Sequence, residues 1–204
     1  NRYKFCEAFG IQQENVVFSG QVHGNHVAVV DRSHAGNRMA DTDALVTQTQ
    51  GLGLMLFFAD CVPLLFFDPV HRVIGLSHAG WRGTFQSIGP RTISVMKQAY
   101  GTEPADCLVG IGPSIGPDDY EVERPVMNEI MNVWPNPELF SRKIREEHWL
   151  LDLWEWNRLQ LAQSGVLPQN IHISGFSTMQ HSDIFFSHRA SQGKAGRFGV
   201  LMVL

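Results

Sequence analysis

The segment Leu52-Gly-Leu-Met-Leu-Phe-Phe-Ala59 is the longest apolar stretch of the chain. Within it, Leu54–Phe58 is apolar at every position, which is typical of a β-strand that is buried on both faces. Asp60 and Pro63 then interrupt the apolar run, well before the roughly 18 residues that a membrane-spanning helix requires. This segment therefore predicts a central strand in a globular core and no membrane span.

Other short segments that are rich in β-branched and aromatic residues and bounded by Gly, Pro or Asp predict further strands. In the first half of the chain these strands are Val16–Ser19, Val27–Val30, Leu45–Thr47, Leu64–Phe67 and Val73–Ser77. In the second half they are Cys107–Ile111, Ile171–Ser174, Ile184–Ser187 and Val200–Val203.

Helices are predicted between the later strands, at Arg91–Tyr100, Pro125–Val133 and Leu153–Ser164. Asp152 is placed as the N-cap of the last helix, and Gly101 and Gly165 are placed to end the first and the last. No linker-like or repeated segment divides the chain. The pattern predicts a single α+β domain over residues 1–204, with mixed β-sheets and helices outside them.

The charge balance excludes two classes of partner. Lys and Arg number 16 and Asp and Glu number 20, which gives a formal charge of −4 without a basic run. Such a chain lacks the positive surface that nucleic acid or an anionic membrane requires. Three scattered cysteines, with no secretory signal in view, do not suit a disulfide framework. We therefore expect a cytoplasmic protein.

The glycines of Gly110-Ile-Gly-Pro-Ser-Ile-Gly116 invite a dinucleotide-binding interpretation. That fingerprint needs a glycine where this chain has Ile115, and no helix is predicted directly after it. We therefore reject a dinucleotide site and interpret the segment as a turn that uses glycine for positive φ.

Three segments place a histidine or a cysteine where a predicted strand ends. They are Gln21-Val-His-Gly24, Ala59-Asp-Cys-Val-Pro63 and Ser77-His-Ala-Gly-Trp-Arg-Gly-Thr84. Two imidazoles (His23, His78) and one thiolate (Cys61) are a ligand set of catalytic zinc, which keeps a fourth position for water or substrate. Their spacing matches no short zinc motif, so the residues leave open whether the three meet.

The same side chains also allow metal-free chemistry. Cys61 would then be a nucleophile, His78 or His23 its base, and Asp60 or Asp43 the group that orients the base. Both interpretations require Cys and His to be neighbours in space, so spacing does not separate them.

An anion site is predicted beside His78. A helix that begins near Gly80 or Trp81 would offer free N–H groups to an anion, and Arg82 would add a guanidinium. Arg189 offers another cation after a predicted strand. Solvated surface loops account for both arginines equally well on sequence grounds.

Taken in order, several motifs resemble one family. They are Gln21–Gly24, Asp43–Thr47, Ala59–Pro63, His78–Thr84, Gly112–Gly116, Tyr120–Val122, Phe185–Arg189 and Gly196-Arg197. The resemblance is to the YfiH/YlmD family, once described as multicopper polyphenol oxidase (laccase) proteins and later as purine nucleoside phosphorylases. It extends over essentially the whole chain and implies a YfiH-like domain of layered α/β/β/α architecture.

The resemblance also implies an activity. Zinc would be held by His23, Cys61 and His78, and adenosine, inosine or guanosine would react with phosphate to give a free base and ribose 1-phosphate. Adenosine deamination is implied as a second activity, with methylthioadenosine as a further substrate. Editing of peptidoglycan precursors is another role attributed to such proteins, and a Cys–His hydrolase acting there is the alternative function.

From these arguments the expected catalytic residues are Cys61, His78, His23, Asp60 and Arg82. The expected phosphate-binding residues are Arg82, Gly80 and Arg189. Copper-dependent phenol oxidation fits less well, because multicopper chemistry needs many more histidine ligands than this set provides. A non-catalytic protein with a structural zinc is a further alternative, although its fourth ligand is not evident in the sequence.

Two departures from the family pattern are visible. The family normally begins with a further segment that helps to line the pocket, and we expect this chain to lack it. Ser177-Thr178 stands where the family often has Cys-Thr, which leaves the three expected metal ligands untouched. The oligomeric state is not predicted.

Overall fold

A computed structural model describes residues 2–204 of the chain. Its helices are α1 (Arg2–Ala8), α2 (Trp81–Phe85), α3 (Ile88–Tyr100), α4 (Arg124–Val133) and α5 (Leu153–Gln163). Its first seven strands are β1 (Val16–Ser19), β2 (Val27–Val29), β3 (Arg38–Met39), β4 (Ala44–Thr47), β5 (Gly53–Phe58), β6 (Val62–Asp68) and β7 (Val73–Ala79). The others are β8 (Leu108–Ile111), β9 (Glu121–Glu123), β10 (Ser141–Arg145), β11 (His148–Leu151), β12 (Ile171–Ile173) and β13 (Phe198–Val203). Within residues 2–204 no helix is long and apolar enough to cross a membrane.

The strands form three sheets. The largest has the order β12-β8-β6-β7-β4-β2, and a second sheet has the order β13-β5-β1-β3. In the largest sheet β6 is antiparallel to both β7 and β8, whereas the edge strands β2 and β12 pair in parallel with β4 and β8. A third, small antiparallel sheet has the order β10-β11-β9, and Val122 and Leu151 from it belong to the same buried cluster as Leu64 of β6.

The two larger sheets pack face to face because their central strands are apolar on both faces. From β5, Leu54, Leu56 and Phe58 point into the layer between the sheets, where they meet Leu76 of β7. The intervening Met55 points the other way, into a cluster with Cys6 beside α1. This alternation is the period of two that side chains follow along a strand.

The outer face of the six-stranded sheet is covered by helices. Met96 of α3 and Leu161 of α5 pack against Leu64 and Phe66 of β6 in the largest buried cluster. The order of layers is therefore α1, four-stranded sheet, six-stranded sheet, and the helices α3 and α5. The predicted single α+β domain with α/β/β/α layers is confirmed.

The three predicted helices are present; α3 and α4 begin before the predicted residue, whereas α5 begins at Leu153 as predicted. α3 begins at Ile88, so Pro90 occupies its third position, where the missing N–H is not needed for a helical hydrogen bond. Asp152 accepts a hydrogen bond from the N–H of Glu155 at 2.9 Å as the N-cap of α5. Gly101 and Gly165 follow α3 and α5 with φ of +79° and +98°, which ends each helix as predicted.

One predicted strand is wrong. Residues 184–187 form turns, in which the N–H groups of Ile184 and Phe185 both bond to the carbonyl oxygen of His181 at 3.0 and 2.9 Å. Apolar composition suggested a strand, but local turn bonds satisfy this backbone instead, and Phe185 packs on Phe198. The sequence also gave no signal for β10, whose five residues Ser141–Arg145 are mostly polar and exposed.

As predicted, no helix directly follows the segment Gly110–Gly116. The glycines of this segment, however, do not serve the predicted purpose of allowing positive φ. None of its three glycines has positive φ. A Cβ at Gly112 would lie 3.0 Å from Cγ of Pro63, and a Cβ at Gly116 would lie 3.0 Å from Cβ of Ser177. Side chains at Gly112 and Gly116 would therefore be crowded by these neighbours, and the predicted use of glycine for positive φ is wrong.

Leu56→Ala tests the layer between the sheets. Leu56 is fully buried, so we expect the free energy of unfolding to fall by about 2–5 kcal/mol, measured by urea denaturation. The control Val70→Ala removes a side chain that is 64% exposed and should change stability by less than about 0.5 kcal/mol. Equal effects from the two substitutions would contradict the assignment of this core.

Candidate metal centre

His23, Cys61 and His78 meet in one cluster, referred to below as the His–Cys–His cluster. Their ligand atoms all lie within 4.8 Å of one another. The two imidazole rings are 4.7 Å apart between centroids and nearly perpendicular. His23 is exposed, Cys61 is half-buried and His78 is buried, so the cluster opens to solvent on the His23 side.

Strand register brings Cys61 to His78. Val62 pairs with Ala79 and Pro63 pairs with His78 across the β6–β7 hairpin, so the turn that carries Cys61 lies beside the end of β7. The pairing of β6 with β7 thus places Cys61 beside His78, although the two residues are far apart in sequence.

The loop that carries His23 is held against β5 by Gln21. The side-chain amide of Gln21 donates to the carbonyl oxygen of Phe57 at 2.7 Å and accepts from the N–H of Phe57 at 2.9 Å. Gln21 follows β1, so its amide continues the pairing of β1 with β5 by one step. His23 itself has a φ of +62°, an uncommon conformation for this residue type that surrounding contacts must maintain.

Asp43 supplies those contacts. Its carboxylate accepts hydrogen bonds from the N–H groups of Val22, His23 and Gly24 at 3.1, 3.0 and 2.8 Å. It also accepts from Nδ1 of His78 at 2.9 Å. One buried carboxylate therefore fixes the His23 loop and leaves Nε2 of His78 available to a metal. This is the orienting role that the sequence left open between Asp43 and Asp60.

The charges in the cluster favour a thiolate. Burial of Cys61 opposes ionisation, but hydrogen bonds with His23 and His78 outweigh it and lower the pKa of Cys61 to about 6. Burial likewise opposes the charged form of His78, whereas its bonds to Asp43 and Cys61 raise the pKa of His78 to about 9. The thiolate is the form of cysteine that binds metals and attacks electrophiles.

The cluster also has the shape that a metal needs. Tetrahedral zinc at about 2.0–2.3 Å from each ligand spaces the ligand atoms by about 3.5 Å, so the three side chains need to close by little more than 1 Å. Gly80 makes room for them, because a Cβ there would lie 2.9 Å from Sγ of Cys61 and 3.3 Å from Cδ2 of His23. The set of donor atoms and the absence of a side chain at Gly80 both fit a bound metal ion.

Two arginines lie on segments that adjoin the cluster. Gly80 is the N-cap of α2, and the exposed Arg82 in that short helix lies over the ring of Trp81 at 4.5 Å. Arg189 lies over the ring of Tyr120 at 5.2 Å and donates to the carbonyl oxygen of Glu121 at 3.0 Å. The helix predicted to begin near Gly80 is therefore present, although it spans five residues.

Tyr120 connects these groups electrostatically. Burial raises the pKa of the Tyr120 hydroxyl, and the charge of Cys61 raises it further, while the positive charges of Arg189 and Arg82 oppose the increase. The pKa of the Tyr120 hydroxyl therefore depends on the charge of the thiolate and of both guanidinium groups. Tyr120 belongs to a sequence motif, Tyr120–Val122, from which no role for it is predicted; the available signal is an aromatic residue directly before a short strand.

Asp60 precedes Cys61 but faces away from open solvent. Its two carboxylate oxygens accept from the hydroxyl of Thr178 and from the backbone N–H of Arg189, both at 2.6 Å. Both oxygens thus have partners within the protein.

The chain is similar to several known proteins over nearly its whole length. A family model described as "Multi-copper polyphenol oxidoreductase laccase" matches residues 1–204. The chain is 35% identical to a Bacillus subtilis protein named purine nucleoside phosphorylase YlmD, over 97% of this chain and 73% of that protein. It is 37% identical to the YlmD of Geobacillus stearothermophilus, over 97% of this chain and 75% of the relative. A crystal structure of Bacillus licheniformis YfiH superimposes with a TM-score of 0.95 at 33% identity, over 100% of this chain and 79% of that one.

Gly80→Ala tests whether metal binding requires the absence of a side chain at position 80. The added Cβ would push against Sγ of Cys61, so we expect the affinity for zinc to fall by about tenfold or more, measured by competition with a chromophoric chelator. Gly110→Ala is the control, since its Cβ would approach Leu65 no closer than 3.7 Å, an ordinary contact. Equal zinc affinities in the two variants would contradict this account.

Asp43→Asn tests the orienting carboxylate. An amide cannot accept all four hydrogen bonds, so zinc affinity should fall by about 10–100-fold in the same competition assay. Asp68→Asn is a matched control at the other end of the β6–β7 hairpin. Asp68 is also buried and accepts from Nδ1 and the N–H of His71, at 2.9 and 3.0 Å. Loss of zinc affinity in both variants would indicate a general loss of stability instead.

Proposed function

This chain belongs to the multi-copper polyphenol oxidoreductase laccase family, and we propose that it is a zinc-dependent purine nucleoside phosphorylase. The resemblance of its motifs to the YfiH/YlmD family is confirmed by the relatives and by the solved structures. Two of those relatives are named purine nucleoside phosphorylases. The observation that carries the proposal is the His–Cys–His cluster with Arg82 and Arg189 close to it.

In this proposal His23, Cys61 and His78 hold the zinc ion. One thiolate and two imidazoles suit zinc and leave a fourth position open. When bound, zinc supplies a Lewis acid that polarises a substrate oxygen. Multicopper oxidation needs several copper ions, whereas residues 2–204 gather a single cluster of three or more His, Cys, Asp or Glu side chains.

The two arginines and Gly80 would bind phosphate. The guanidinium of Arg189 is held by the Tyr120 ring and by the carbonyl oxygen of Glu121, so it is ordered before a substrate arrives. Arg82 adds a second positive charge near the cluster. Such guanidiniums bind phosphate oxygens and hold them in place for reaction.

The reaction then transfers the pentose. A phosphate oxygen forms a bond to C1′ of the nucleoside while the bond from C1′ to the purine nitrogen breaks. The purine leaves with the bonding electrons and takes up a proton, and ribose 1-phosphate remains. Arg82 and Arg189 position the phosphate for this attack and stabilise its charge.

Adenosine deamination is the second activity that we propose. It needs water at C6 of the purine and a group that moves protons. Asp43 and Asp60 are the carboxylates next to the cluster, and the oxygens of both already accept hydrogen bonds from the protein. We therefore expect deamination to be slower than phosphorolysis.

A Cys–His hydrolase remains the second candidate, and one observation favours it. The low pKa of Cys61 and the raised pKa of His78 also describe a thiolate nucleophile beside an imidazolium that has taken up its proton, and the Asp43 carboxylate orients that imidazolium. Such an enzyme would work without metal and would be blocked by a thiol alkylator.

Product analysis tests the proposal. The protein is incubated with adenosine or inosine and phosphate, as isolated, after chelation and after zinc is returned, and products are separated by liquid chromatography. We expect a free base and ribose 1-phosphate, lost on chelation and restored by zinc. Inosine formed from adenosine would report deamination. Metal-independent turnover that iodoacetamide abolishes would instead support the hydrolase.

Cys61→Ala should remove both the metal and the activity. We expect zinc content below about a tenth of an equivalent and turnover lowered by about a hundredfold or more, because the thiolate is one of three ligands. Cys107→Ala is the control, since Cys107 is buried outside the His–Cys–His cluster. Stoichiometric zinc retained by the Cys61 variant would contradict the ligand assignment.

A further inference from the structure

The backbone of Asp60 is held in an unusual conformation. Its φ is +82°, in the left-handed region that residues other than glycine occupy at an energetic cost. Such a conformation persists where surrounding contacts enforce it, and these contacts are often found at functional sites. The residue is buried and directly precedes the cluster cysteine.

Three other segments of the chain bond to Asp60. Its carbonyl oxygen accepts from the N–H of Ile115 at 2.9 Å. One carboxylate oxygen accepts from the hydroxyl of Thr178 and the other from the backbone N–H of Arg189, both at 2.6 Å. We call this set of four residues the Asp60 clamp.

The clamp joins the two halves of the proposed site. On one side it continues directly into Cys61 of the metal cluster. On the other side it holds the backbone of Arg189, whose guanidinium is separately fixed over Tyr120 and to the carbonyl oxygen of Glu121. Arg189 lies in the turn-rich segment 184–194, which has little regular structure to hold it. The position of the Arg189 backbone relative to Cys61 therefore depends on this carboxylate.

We propose that Asp60 is a positioning residue, which acts by holding the Arg189 segment in register with Cys61 and does not carry protons during the reaction. The inference rests on the proposed function for the role of Arg189 in phosphate binding. Whether the clamp holds the Arg189 segment can be tested without a substrate.

Asparagine and glycine substitutions separate the two roles for Asp60. Asparagine tolerates positive φ, and its amide can accept from the Arg189 N–H while donating to the Thr178 hydroxyl, which serves as donor or acceptor. It keeps the clamp with weaker bonds but cannot act as an acid or base. Glycine suits the backbone conformation and removes both side-chain bonds. Alanine is avoided because positive φ would add strain.

The experiment compares Asp60→Asn and Asp60→Gly with the unchanged protein, all loaded with zinc. Asp41→Gly is the matched control, because Asp41 also has positive φ (+47°) but is exposed and outside the clamp. Hydrogen–deuterium exchange with mass spectrometry follows segment 184–197. Steady-state assays with inosine give the KM for phosphate and kcat, and zinc content is measured for each variant.

For Asp60→Gly we expect exchange in segment 184–197 and the KM for phosphate each to increase by about tenfold or more, since a bond to a charged group is lost. Its kcat should stay within about threefold, and zinc should be retained, because the cluster ligands remain. For Asp60→Asn, exchange, KM and kcat should all stay within about threefold, since both clamp contacts can reform. Asp41→Gly should match the unchanged protein.

Two results would overturn the inference. One is loss of turnover in Asp60→Asn with unchanged exchange, which would make Asp60 a proton carrier. The other is unchanged exchange in Asp60→Gly, which would mean that no clamp holds Arg189. Where Asp60→Gly does not fold, Thr178→Val removes at similar volume the hydroxyl that orients the Asp60 carboxylate toward the N–H of Arg189. Exchange in segment 184–197 should then increase about threefold or more. Unchanged exchange in Thr178→Val also overturns the inference.

The proposed function can fail independently of the clamp. If the unchanged protein cleaves no nucleoside, the phosphorylase proposal fails, and the exchange measurements still decide whether Asp60 holds the Arg189 segment. Faster exchange in Asp60→Gly with an unchanged KM for phosphate would keep the clamp but contradict its role in phosphate binding.

Discussion

The Asp43 carboxylate is the interaction on which the candidate site depends. It is fully buried, and it accepts three backbone N–H groups of the His23 loop and Nδ1 of His78. A buried charge is stable only when it is paired and hydrogen-bonded, and here four donors meet that condition. The same bonds keep His23 at positive φ and set the ring orientation of His78, so two members of the His–Cys–His cluster depend on one carboxylate.

Strand order explains why this support lies where it does. Asp43 directly precedes β4, which pairs with β7, and β7 carries His78. The neighbouring hairpin partner β6 brings Cys61 to the same end of the sheet. Beyond β7, α2 is anchored to α5, because the side-chain amides of Asn157 and Gln160 donate to the hydroxyl and carbonyl oxygens of Thr84. The site is therefore built on rigid elements, with His23 and Arg189 supplied by loops.

Positive and negative side chains around the His–Cys–His cluster differ in how they are paired. The thiolate of Cys61 and the carboxylates of Asp43 and Asp60 are all engaged by donors within the protein. The guanidiniums of Arg82 and Arg189 rest on aromatic rings and remain exposed, so they keep donors for a ligand. The negative groups are thus paired within the protein, while both guanidinium groups are exposed to solvent.

The sequence by itself determined most strands of the core, the N-cap of α5, the glycines that end α3 and α5, and the chemical identity of the candidate ligand set. These depend on local periodicity and residue type: Leu54–Phe58 alternates between two buried layers, and two imidazoles with a thiolate suit zinc wherever they meet. Only the tertiary structure decided that His23, Cys61 and His78 do meet, and that Asp43 orients His78 while Asp60 holds Arg189. In the tertiary structure residues 184–187 also form turns and irregular loop and not the predicted strand. Those outcomes depend on strand register and on hydrogen bonds between segments distant in sequence, which leave no local pattern in the chain.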